Sequence, residues 1–83
     1  PVTRTGAERP RTRSPGTLRR LLSTAERDLS DATGRRDFLA AALGNAGVDH
    51  LALAAVAEEL AVAEVALSEV EERWLTLAEE LGA

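Results

Sequence analysis

The residues best equipped to act on a partner are arginines, and every one of the ten basic residues is an arginine. Nine of them fall in the first 36 positions: Arg4, Arg9, Arg11, Arg13, Arg19, Arg20, Arg27, Arg35 and Arg36. The planar guanidinium fork grips phosphate oxygens in pairs, so these nine form a candidate basic track for a nucleic-acid backbone. Phe38 and Trp74 are the only aromatics, and neither interleaves the arginines. Base stacking is therefore not expected, and binding would be weak, salt-sensitive and indifferent to sequence. A second reading fits the same residues. A soluble helical protein shows a charged outer face anyway, with Arg35 or Arg36 pairing with Glu59 and Arg27 pairing with Asp31 along one helix.

Other chemistry is poorly supplied. With no cysteine there can be neither a disulfide framework nor a thiolate metal site, and His50 cannot build a metal site alone. Without lysine no phosphate-binding P-loop is possible. The neighbouring carboxylates Glu71 and Glu72 fall on an open helix surface rather than in a pocket that would raise a pKa. The sequence predicts no catalytic residues, no metal and no cofactor in this chain. Trp74 is expected to pack in a core, with docking to a neighbouring domain as the alternative. His50 reads as a surface turn residue. Phe38, Val62, Val65 and Leu75 are candidates for a weak partner surface.

The charge is unevenly distributed. Residues 1–36 hold nine arginines against four carboxylates, whereas 37–83 hold one arginine against ten, for a net charge of −4. Such a split points to a polar partner on one half or to pairing between the halves. Glu58, Glu59, Glu64, Glu69, Glu71, Glu72, Glu79 and Glu80 would repel a phosphate backbone, so any such contact must use the first half.

Behind these charges lies a helical framework. The 83 residues suffice for one small domain, and their 16 alanines and 13 leucines with no isoleucine favour helices over sheets. Residues 1–13, rich in Pro, Gly, Thr and Arg, read as a disordered basic linker. The absence of a starting Met and this linker-like opening suggest an excised fragment. Ser14-Pro15 is a helix start, with Thr17 as the alternative cap. From there Leu18, Leu22, Ala25, Leu29, Ala32, Arg36, Leu39 and Leu43 repeat at alternating spacings of four and three. Gly34 interrupts the helix only by weakening it, at about 1 kcal/mol against Ala. Gly44 to Val48 then breaks the pattern, with Gly or Asn as a left-handed C-cap. Asp49 can cap the next helix. A second seam follows: Leu53, Val56, Leu60, Ala63, Leu67, Val70, Trp74, Leu77 and Leu81.

Two heptad stripes joined by a short turn must fold back on each other. The expected fold is all-α: a two-helix antiparallel coiled-coil hairpin over 14–83, with helices at about 15–43 and 50–81 and a turn at 44–49. Leu43 should lie near Leu53, Leu29 near Leu67 and Leu22 near Trp74. No apolar run approaches the roughly 20 residues of a membrane span. A monomer is expected, and the lack of cysteine is compatible with a reducing, cytoplasmic setting.

Leu18-Arg19-Arg20, Ala25-Glu26-Arg27, Arg35-Arg36-Asp37 and above all Glu71-Glu72-Arg73-Trp74-Leu75 resemble the C-terminal domain of ABC-F ATPases of the Uup type. The resemblance covers about four fifths of the chain, and its Ala/Arg-rich, lysine-free style is similar to versions from high-GC actinobacteria. It implies a cytoplasmic protein acting on or near the ribosome, with two upstream cassettes that bind ATP and Mg and carry the catalytic motifs. It further implies that the C-terminal coiled coil is a nucleic-acid-binding arm, for DNA or ribosomal RNA. Such arms are typically lysine-rich and often basic, and this chain departs from them in being net acidic. The alternative is a protein-interaction or spacer hairpin that docks on its own ATPase or on a ribosomal protein.

Overall fold

A computed structural model describes residues 13–47 and 49–82. Helix α1 spans Pro15–Gly44 and helix α2 spans His50–Gly82. They pack along each other as an antiparallel hairpin with extents of 67 × 22 × 14 Å. The boundaries follow from chemistry at the ends. Ser14 is extended, at φ −65° and ψ 153°, and its Oγ accepts a hydrogen bond from the Thr17 backbone N–H at 3.2 Å. Pro15 follows at the first helical position, where its missing N–H costs nothing. Asp49 performs the same service for α2, its Oδ1 accepting from the N–H groups of Leu51 and Ala52, both at 3.1 Å.

The turn differs from the expectation at one point. Asn45 closes α1 at φ −100°, not in the left-handed region, and its N–H donates to the carbonyls of Ala41 and Ala42 at 3.1 Å. The left-handed residue is Gly47, at φ 67°. The left-handed residue thus comes three residues after Gly44 and two after Asn45.

The two seams meet as the heptads require. Every seam residue of both helices is buried or half-buried. Leu18, Ala25, Leu39, Ala63, Leu67 and Leu77 are the buried core. Lettering the seams a and d, five of these six occupy d positions, with Leu67 the exception at a. Near the open end Leu18, Ala25 and Leu77 form one cluster, and Leu22, Trp74 and Leu81 pack on it. Leu22 and Trp74 therefore share one cluster, as their register implies. Full burial of a leucine contributes about 1.5–3 kcal/mol, so a few such layers hold the hairpin together. Arg36 is the only charged seam residue. It is half-buried, and its Nε–H donates to Asp37 Oδ1 at 2.7 Å.

Candidate functional site

The structure separates the nine candidate arginines into three groups. Arg4, Arg9 and Arg11 lie outside the described residues, as do the first 12 positions of the expected linker. Arg13 and Arg36 are in ion pairs: Arg13 Nη1 donates to both carboxylate oxygens of Glu80 at 3.0 and 3.1 Å, and Arg36 pairs with Asp37. Arg19, Arg20, Arg27 and Arg35 are exposed on α1, and none is in an ion pair among the described residues. They do not form a single line. Arg20 and Arg27 share the outer f position one heptad apart, about 10 Å along the axis. Arg19 stands on the e flank and Arg35 on the opposite g flank.

The expected pairs of Arg35 or Arg36 with Glu59 and of Arg27 with Asp31 are absent from the ion pairs of the described residues. Both absences have physical reasons. Asp37 is next to Arg36 in sequence and meets it without a bridge across the seam. An arginine four residues before an aspartate is the weaker orientation against the helix dipole. The pairs that do cross the hairpin are Arg13 with Glu80 and Arg73 with Asp28, the latter at 3.2 Å. Asp28 and Arg73 both hold g positions, which face each other in an antiparallel pair, so a heptad lettering of the flanks would have found them.

The two flanks differ. On the g side lie the Asp28–Arg73 bridge and Phe38, which is 69% exposed. On the e side an open cleft of about 550 Å³ is lined by Glu26, Leu29, Ser30, Thr33, Gly34, Asp37 and Trp74. A smaller cleft of about 290 Å³ is lined by Leu29, Glu71, Trp74 and Leu75, and so shares Leu29 and Trp74 with the first. Trp74 is half-buried, and its Nε1–H points to Glu26 Oε2 at a long 3.4 Å. It packs on the core, as expected, and also lines both clefts. The outer face of α2 carries a third concavity of about 380 Å³ lined by Ala61, Val62, Val65, Ala66 and Glu69. Val62 is 67% and Val65 59% exposed there.

Among the described residues no group of three or more His, Asp or Glu side chains stands close enough to hold a metal ion. Nor is any described helix long and apolar enough to cross a membrane. His50 is exposed at the first position of α2. Glu26, Glu71 and Asp37 were not candidates on sequence grounds. Their common flank becomes visible only once the heptad letters beside the seam are assigned.

Comparisons with family models, curated proteins and solved structures return no match. The resemblance to ABC-F C-terminal domains thus rests on the residues quoted for it.

Proposed function

We propose that this hairpin is a non-catalytic nucleic-acid-binding arm of a Uup-type ABC-F ATPase, acting in the cytoplasm on DNA or ribosomal RNA. ATP and Mg belong to the upstream cassettes of such a protein. One observation supports the reading beyond the resemblance. Arg19, Arg20 and Arg27 stand exposed on α1 and without an ion pair among the described residues, while the eight glutamates of 58–80 are confined to α2. The hairpin can therefore turn one helix to a phosphate backbone and keep the repelling helix behind it.

The test is fluorescence anisotropy of the chain with labelled double-stranded DNA and with structured RNA. Three phosphate contacts predict a slope of about −2.7 in log affinity against log salt, or about a 40-fold loss between roughly 50 and 200 mM. Arg20→Gln with Arg27→Gln should flatten that slope by about 1.8. Absence of binding to either polymer at low salt refutes the reading.

The exposed Val62 and Val65 favour a second reading, a protein-docking hairpin. It predicts association with an ABC cassette or a ribosomal protein that survives the arginine changes and is lost on Val62→Ser with Val65→Ser.

A further inference from the structure

A helix packed by its a and d positions points its f positions away from the seam, so the hairpin has two outer edges. The edges are of opposite kind. On α1 the f line is Arg20, Arg27, Gly34 and Ala41, and on α2 it is Glu58, Val65, Glu72 and Glu79. All eight residues are exposed, and none of their charges is in an ion pair among the described residues. Each edge also has an apolar feature at mid-length. Phe38, 69% exposed, holds a c position of α1, with only Gly34 and Ala41 next to it on the f line. A Cβ added to Gly34 would meet nothing within 4 Å, so this stretch of the edge is open. On α2 the concavity of about 380 Å³ is formed around Val62, also at c, and Val65.

The α1 edge of one copy and the α2 edge of another, laid antiparallel, match in a single register. Setting Arg20 opposite Glu79 of the second copy also sets Arg27 opposite Glu72 and Gly34 opposite Val65, because both lines repeat every seven residues. In such a pair c faces c, so Phe38 falls opposite Val62 and its concavity. A shift of one heptad carries Arg20 past the end of α2 or sets Arg27 opposite Val65, and either shift moves Phe38 off Val62. One level is like-charged, Asp31 with Glu69; Arg27 lies one turn from Asp31, and Arg73 one turn from Glu69. Like edges do not match. An α2 edge on an α2 edge brings glutamate lines together, and an α1 edge offers no acid on its f line to another α1.

We infer that this surface binds a second copy of the chain, the α2 edge of one molecule seated on the α1 edge of the next through Arg20–Glu79, Arg27–Glu72 and Phe38 in the valine concavity. The two edges lie on opposite sides of one molecule. The contact is therefore heterologous, leaves a free edge at each end, and adds copies in an open row. Contact along the 30 residues of α1 is about 45 Å long and one helix diameter, about 10 Å, wide. That is roughly 450 Å² per copy and about 900 Å² in total, the size of a weak, transient interface. The inference rests on neither functional reading above, and its test contains no nucleic acid.

The test is sedimentation equilibrium of the full chain over a concentration series reaching millimolar protein. At low salt the weight-average mass should climb past twice the monomer's, and at about 1 M salt, where the Debye length is about 3 Å, it should fall back toward the monomer's. Two variants each remove one edge: Arg20→Gln with Arg27→Gln, and Glu72→Gln with Glu79→Gln. Each should stay monomeric alone, while their equimolar mixture should form a 1:1 dimer and stop there, because one intact edge of each kind remains. Phe38→Ser should weaken assembly of the parent about tenfold. Far-UV circular dichroism checks that the variants keep their helices. A parent that stays monomeric at low salt overturns the inference. So does a parent that stops at two copies, which would be a closed contact between like surfaces. Variants that assemble like the parent, or a mixture no heavier than its components, also overturn it.

Discussion

Replacing Gly34 with alanine should stabilise the hairpin by about 1 kcal/mol, the helix-propensity difference between the two residues at an interior position. The structure gives the terms of that sum. Gly34 lies ten residues inside the C-terminal end of α1, in unbroken helix, at an exposed position. A Cβ built there meets no atom within 4 Å, so the added methyl brings no clash and little new contact. Its φ is not in the left-handed region, so alanine adopts the same backbone without strain. The remaining effect is the loss of glycine's conformational freedom in the unfolded chain, which favours the folded state. In a domain of this size 1 kcal/mol raises Tm by about 4–8 °C. The assay is thermal melting followed by circular dichroism, on parent and Gly34→Ala at equal concentration. A Tm that stays put or falls would refute the reasoning, since it would mean that α1 bends at Gly34 in a way alanine resists.

Three further substitutions probe other layers of the same account. Gly47→Ala should destabilise by about 1–2 kcal/mol despite the open space around it, because φ 67° is strained for any residue with a Cβ; chemical denaturation checks the loss. Asp49→Ala should cost about 1 kcal/mol by freeing the N–H groups of Leu51 and Ala52, and Asp49→Asn should restore most of it in the same melt. Ala25→Leu should cost about 1–3 kcal/mol, since Ala25 is 1% exposed in the cluster with Leu18 and Leu77 and leaves no room for an isobutyl group; a gain in Tm would show that the helices can part locally.

The hairpin was legible in the sequence because its determinants are local or periodic. Leu18, Leu39, Leu67 and Leu77 mark the seams by spacing alone, and a stripe that keeps 3.5-residue periodicity has only one face to bury. Ser14 and Asp49 mark helix starts because their side chains bond N–H groups two or three residues on. The turn was less legible: Gly44, Asn45 and Gly47 all tolerate a left-handed conformation, and the choice of Gly47 depends on how two packed helices are joined. The ion pairs were least legible. Exposed pairs are worth about 0–1 kcal/mol, so several partners for Arg36 or Arg27 compete within thermal energy and spacing cannot rank them. The acidic clefts beside Trp74 escaped notice for a related reason. Glu26 and Asp37 of α1 share a flank with Glu71 of α2 only through the register of the hairpin.

That register also sets how the molecule bears mechanical load. Arg13 is bonded to Glu80, so the start of α1 and the end of α2 lie side by side at one end, with the turn at the far tip. Tension pulling those two ends apart would act on one layer at a time, opening the Leu18, Ala25 and Leu77 cluster first and then unzipping toward Gly47. Tension applied between the tip and the base instead loads every layer in shear at once. The same few kilocalories of packing therefore make a fastener that yields easily in one direction and a strut that resists in the other.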